Sequence, residues 1–276
     1  KPVGDVILCD VAREDASVIV SDLKELGIPE EGSIAMEDID SQISDAADRA
    51  EIAAKGAPSD AVVWEEVEER TSESAELSGS FVAFMVIATL IAAVGILTDS
   101  LILIIGAMVV GPEFGPLAGV CVAVVQHQLA LARRSLVALG VGFTAAIGAT
   151  VLGTLILRAV GTAPDELSPQ LHPATLFISE PSTWSVIVAV LAGIAGVLSL
   201  TTAKSGALIG VLISVTTIPA AANVGVAAAY ADWDEFTGAL VQLLINLLSI
   251  LVAGIATLAL QRAAYRRRAA GQGSNR

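Results

Sequence analysis

Between Gly79 and Leu260 the chain is a series of apolar stretches, each about long enough to cross a bilayer, with more polar gaps between them. Nothing else in the sequence constrains the fold as strongly. Inside lipid every backbone N–H and C=O must find a partner within the protein, which leaves helices or a closed barrel. A crossing helix needs roughly 20 apolar residues. Six stretches qualify: residues 79–97, 101–125, 135–158, 183–200, 205–229 and 237–260. The expected fold is an α-helical polytopic membrane protein of six spans.

Two of these stretches are interrupted in the middle. Leu101–Val120 contains Gly111-Pro-Glu-Phe-Gly-Pro116, and Ser205–Val224 contains Thr216-Thr-Ile-Pro219. A shift of 104 positions carries Ile105-Gly106 onto Ile209-Gly210, Ala118 onto Ala222 and Val120 onto Val224. Paired, Gly/Pro-interrupted spans in the two halves of a chain point to a transporter-like binding site. Chance matching of two Ala/Val/Gly-rich helices is the plain alternative. The repeats are 79–158 and 183–260, three spans each, so the halves would have opposite orientation. This makes two inverted three-helix repeats with broken second helices. The rival reading is that each broken segment is a re-entrant hairpin.

Charge is unevenly placed. Residues 1–76 hold six Lys/Arg against 21 Asp/Glu, and the rest of the chain nine against eight. An acidic soluble part joined to a near-neutral membrane part follows. Such a part is not suited to nucleic acid or to anionic head groups. Arg133, Arg134, Lys204, Arg262 and Arg266–Arg268 fall on one side of a six-span arrangement with both termini cytoplasmic. Asp99, Asp165, Glu166, Glu180, Asp232, Asp234 and Glu235 fall on the other, where only Arg158 stands near, at a helix end. A hairpin in place of a broken span would put Arg133 and Arg134 outside, so the charges favour the broken span. Trp184 and Trp233 belong to an outer aromatic belt and Tyr265 to an inner one. The expected location is the cytoplasmic membrane, multi-pass. Cys9 and Cys121 lie in different regions and imply no disulfide framework.

The N-terminal part, residues 1–58, reads as a small soluble α+β domain, ferredoxin-like in outline. Val3–Leu8 and Ser33–Met36 read as strands. Arg13–Leu26 reads as a helix stopped by Gly27, and Ser41–Lys55 as another. Residues 56–60 break the chain, and Asp60 starts an acidic helical linker, 59–76, leading to a membrane domain over 77–262 and a basic tail over 263–276. Such a domain senses a ligand, holds subunits of a homo-oligomer together, or only packs. No nucleotide-binding motif appears.

The residues suited to binding lie at the breaks. Pro112 and Pro116 cannot donate backbone bonds, so carbonyls one turn earlier are freed. Unwound backbone at this depth is tolerated only beside protein or a polar cavity. Glu113 is the one acid placed deep in the membrane, and such a group is a functional candidate by default. It suits cation binding or proton coupling; the competing role is a cap on the half-helix that follows. Thr217 stands at the matching position, with Thr216 beside it as a capping hydroxyl. Gly111, Gly115 and Gly119 form a flat face for close packing. Asn223, one turn beyond the second break, is a further binding candidate. Gln242, Asn246 and Ser249 read first as interhelical hydrogen bonds. No catalytic set, metal cluster or cofactor motif appears, so an enzyme is not expected.

The run Gly95-Ile-Leu-Thr-Asp-Ser-Leu-Ile-Leu-Ile-Ile-Gly-Ala-Met-Val-Val-Gly-Pro-Glu-Phe-Gly-Pro-Leu-Ala-Gly119 resembles the signature of the bacterial and archaeal "uncharacterised hydrophobic proteins", a domain of unknown function. Pro112 and Pro116 match its spacing, and Ala61-Val-Val-Trp-Glu-Glu66 is similar to the actinobacterial branch. The resemblance covers roughly residues 60–260. It implies a multispan membrane protein with an N-terminal soluble domain, and it brings no substrate.

The reading reached from sequence is a secondary transporter of a small solute or ion in the lipid bilayer, proton- or cation-coupled. Its site lies at the midplane between the two broken helices, at Gly111, Pro112, Glu113, Gly115, Thr216, Thr217 and Asn223. A passive channel and a membrane-anchored sensor without transport are the alternatives.

Overall fold

The computed structural model describes residues 5–37, 44–45, 48–49, 52, 62–164, 178, 181–202, 210–211 and 216–273. Among these residues the regular structure is helical. The N-terminal part contributes α1 (Ala16–Glu25) and a single turn, α2 (Ile28–Glu31), separated by Gly27 at φ 75°. The stop at Gly27 follows from its freedom to take a left-handed conformation. The expected α+β character is corrected here: residues 5–12 and 33–37 form no strand, and Leu8 is 91% exposed. A strand needs a partner edge for its N–H and C=O groups, and none lies among the described residues. Most of the expected 41–55 helix, the 56–60 break and the Asp60 cap lie outside them.

After α3 (Trp64–Ser74) come α4 (Gly79–Leu97), α5 (Leu101–Val110), α6 (Phe114–Gln126), α7 (Leu129–Ala159), α8 (Thr183–Thr201), α9 (Thr217–Tyr230) and α10 (Trp233–Gly273). α4, α7, α8 and α10 are each long and apolar enough to cross a bilayer. α5 and α6, bent by 50° at the intervening break, make one more if counted together. The chain is a helical polytopic membrane protein. The fifth expected stretch, 205–229, is described only at Gly210, Val211 and from Thr216 on; Lys204, Asp165, Glu166, Glu180 and the Arg266–Arg268 side chains are not described.

Local details recur 104 residues apart. Ser78 caps α4 by accepting from the Phe81 N–H at 3.0 Å, and Ser182 caps α8 by accepting from Ser185 N–H at 3.2 Å. Thr98, after α4, donates to the Val94 carbonyl at 2.7 Å, as Thr202, after α8, does to Leu198 at 2.7 Å. His127 ends α6 at φ 62°, and Ala231 ends α9 at φ 57°. Each of these turns closes with a bond five residues back, Gln128 to Ala123 and Asp232 to Ala227.

The packing recurs in the same way. α4 packs on α7 as α8 does on α10, and α6 on α7 as α9 does on α10. α7 meets α9, and α10 meets α6. Thr150 lies 2.7 Å from where a Cβ on Gly225 would sit, and Cys121 Sγ lies 2.8 Å from the same point on Gly254. Arg158 donates to the Ala229 carbonyl at 2.6 Å and stacks on Tyr230, while Arg262 donates to the Val125 carbonyl. In both of these pairs the first-half and second-half positions exchange.

Among helices whose counterparts are both described, one pair does not recur. α4 lies against α9, but α6 and α8 do not come together likewise; α3 packs on α6 instead. α3 buries Val67 and Thr71, with Ala75 just beyond its end, and Gln128 donates to Glu68 at 2.6 Å. Arg13 and Ser17 join α1 to α3 through Glu66 at 2.9 Å and Glu65 at 2.7 Å. The acidic segment before the first span is therefore a docked helix.

Candidate functional site

The sequence Gly111-Pro112-Glu113 ends α5 and starts α6. Gly111 donates to Ala107, but Pro112 has no N–H to return to the carbonyl one turn back. The chain turns, and Glu113 becomes the residue before α6. Its side chain makes no capping bond. Thr216, before α9, makes none either. The third residue of each helix is a proline, Pro116 or Pro219, so one of the amides a capping side chain ordinarily takes is missing. The expected caps are thus corrected: both side chains are released from local duty and turn outward from their own helices.

Each finds a partner outside its own helix. Thr217 Oγ1 donates to Glu113 Oε1 at 2.6 Å. These two residues stand 104 positions apart, at the matching places of the two breaks. Glu113 is 4% exposed and Thr217 fully buried. Asn246 of α10 donates to Thr216 Oγ1 at 2.9 Å, and Gln242, one turn earlier, donates to Asn246 Oδ1 at 3.2 Å. Two buried polar sets thus adjoin at the second break, Glu113 with Thr217 and Thr216 with Asn246 and Gln242. Glu113 Oε2 and Gln242 Oε1 have no hydrogen-bond partner among the described residues. A buried carboxylate without a cation beside it is costly to keep charged.

Gly111 and Gly115 let the backbone come close to its neighbours. A Cβ on Gly111 would meet the Glu113 carboxylate and, at 2.6 Å, Ile218. A Cβ on Gly115 would lie 2.7 Å from the Ser74 Cβ, and one on Gly119 would lie 2.5 Å from Ser135 Oγ. The glycine face therefore takes the end of α3 and the side of α7. Beside it opens a cleft of about 400 Å³. Gly111, Pro112, Phe114 and Gly115 form one wall, Arg70, Glu73 and Ser74 of α3 another. The Phe114 ring reaches across to Gly196 of α8.

Of the residues expected to bind, Gly111, Pro112, Glu113, Gly115, Thr216 and Thr217 come together. Asn223 does not join them. It lies about two turns along α9 and donates to Glu235 Oε1 at 2.7 Å, while its own Oδ1 is buried without a partner among the described residues. Asn246, with Gln242 behind it, bonds Thr216 at the second break instead. Their spacing of four puts both on one helix face, a signal present in the sequence and read only as interhelical bonding.

No solved structure matches the chain. A similar protein is an uncharacterized protein of Methanocaldococcus jannaschii, 27% identical over 194 residues, which are 70% of this chain. The chain spans 58% of the length of that relative. Residues 108–252, from Met108 in the last turn of α5 into α10, match the model of the Domain of unknown function (DUF389), and the chain belongs to that family.

Proposed function

We propose that the protein is a secondary transporter whose site is the junction of the two breaks. The observation that carries this is the direct bond between Glu113 and Thr217, equivalent positions of two halves, buried at the level where both helices are interrupted. Discontinuous helices meeting between repeats are the usual setting of a transporter site.

The halves are related by an inverted two-fold. Self-complementary pairs mark such symmetry, because residue i meets j and the mate of j meets the mate of i. The Arg158–Ala229 and Arg262–Val125 bonds have this form, as do the Gly225–Thr150 and Cys121–Gly254 contacts. With three spans per half, the axis lies in the membrane plane. Arg133, Arg134 and Arg262 gather at one end of the bundle, Trp184, Trp233 and Asp234 at the other. The first end is cytoplasmic.

The break in symmetry gives the state. On the outer side α4 closes on α9. On the inner side α3 stands in the gap between α6 and α8, and the cleft opens there. Alternating access requires that the two sides differ in this way.

The test is solute movement. Purified protein is screened for ligand-induced thermal shifts, and compounds that raise the midpoint are offered to proteoliposomes. Saturable uptake driven by an ion gradient is expected. Non-saturable flux would make the protein a channel. Ligand binding by an isolated N-terminal segment, with no flux under any gradient, would make it an anchored sensor.

A further inference from the structure

We infer that the site between the breaks binds a monovalent alkali-metal cation; this rests on the transporter reading and names the coupling ion. The first ground is the kind of atom left unsatisfied. Glu113 Oε2 at the junction, Gln242 Oε1 one turn from Asn246 on α10, and Asn223 Oδ1 along α9 are buried oxygens without partners among the described residues. The Asn223 orientation is fixed, because its amide nitrogen donates to the Glu235 carboxylate. Oxygen acceptors of this sort are the ligands of hard cations. Amide oxygens coordinate a metal ion but do not carry a proton at ordinary pH; the Gln242 and Asn223 oxygens lie on the approach to Glu113, outside the junction itself.

The second ground is charge. The starts of α6 and α9 each bring about +0.5 charge to the junction, and the end of α5 brings about −0.5. Against these the Glu113 carboxylate leaves the point negative. The sum is about half a negative charge, which a single positive charge in a dry site offsets. A divalent ion would need more, and among the described residues no three His, Cys, Asp or Glu come together. Both approaches are acidic as well. Glu73 and Glu76 border the inner cleft. Asp232 and Glu235 stand at the outer end, where Asp232 accepts from the Glu235 N–H and Glu235 from Asn223. The basic groups near these approaches are engaged: Arg70 with Glu66, Arg158 with Ala229 and Tyr230.

The seam of α9 and α10 supplies the path. Glu235, Gln242 and Asn246 are spaced by seven and four, so they share one face of α10. Asn223, Thr217 and Thr216 lie along α9 beside it. A cation entering past Glu235 would meet the Asn223 and Gln242 oxygens before Glu113.

The experiment titrates sodium, potassium, rubidium and lithium chlorides into the purified full chain in detergent, against choline chloride at equal ionic strength. Binding is read from the thermal midpoint and from equilibrium uptake of radioactive sodium or rubidium. One or more alkali cations should stabilise saturably, and choline should not. Glu113→Gln should weaken that binding at least ~100-fold, since it removes the neutralising charge. Thr217→Val keeps the charge and should weaken it less than ~10-fold. A monodisperse Glu113→Gln protein that binds as wild type overturns the inference. If that variant does not fold, the wild-type titration and Thr217→Val decide. Equal response to choline, or stabilisation that follows pH alone, also overturns it and leaves a proton-coupled transporter standing. Alkali binding without any solute flux would instead remove the transporter reading and leave the cation site.

Discussion

At the residue scale the account rests on Glu113 and its partner. Thr217→Val removes the donor and leaves a buried carboxylate with neither oxygen paired. It should lower stability by about 1–3 kcal/mol, read as a fall in thermal midpoint in detergent. Replacing both partners, Glu113→Met with Thr217→Val, should cost less than the single change, because no unpaired polar group remains. Additive losses would show that the bond is incidental. Gly111→Ala is a second case. Its Cβ would press on the Glu113 carboxylate and on Ile218. Overpacking of this kind costs about 1–3 kcal/mol, so the midpoint should drop although Ala favours helix. An unchanged midpoint would mean that the backbone gives way. Much of this was legible in the sequence. The offset of 104 paired Glu113 with Thr217, and the prolines marked where backbone is freed. The direction of the side chains was not, because a carboxylate before a helix reads first as a cap. Only the proline at the third position of each helix hints otherwise.

At the scale of elements, α3 is the piece the sequence concealed. Its charge pattern reads as a solvated linker, and its buried stripe is short: Val67, Thr71 and, just past its end, Ala75. The partner surface, Gly115 and Gly119, looked like a seam for another membrane helix. Docking of an acidic helix there depends on surfaces far apart in the chain, which no local pattern displays. Gly115→Val should force Ser74 away and loosen α3. Protease cleavage within residues 62–78 should then speed up, while the membrane helices stay folded. Cleavage at the wild-type rate would show that α3 is held elsewhere. The ends of α6 and α9 give a milder test. Ala231 holds φ 57°, which costs a residue with a Cβ roughly 1–2 kcal/mol. Ala231→Gly should raise stability by up to about 1 kcal/mol after glycine's own entropy cost, read as a higher midpoint. The N-terminal strands were misread for a related reason: Val6, Ile7 and Leu8 look buried by composition, yet burial needs a partner surface, and all three are exposed.

For the whole molecule, the central claim is that two halves of opposite orientation meet at their breaks. The order of apolar stretches and the placement of Arg and Lys already implied it. The recurring caps, turns and exchanged contacts give it physical content, and the single exception at α3 gives it a direction. The claim has one consequence that a parallel repeat does not share: equivalent positions must lie on opposite faces of the membrane. Ala130, near the start of α7, and Asp234, near the start of α10, are such a pair, 104 residues apart and both exposed. Each is replaced by cysteine in a background where Cys9 and Cys121 are serine, and an impermeant thiol reagent is added to intact cells and to lysed ones. Asp234→Cys should react in intact cells, and Ala130→Cys only after lysis. Reaction of both from the same side would contradict the inverted repeat, and with it the site built between its halves.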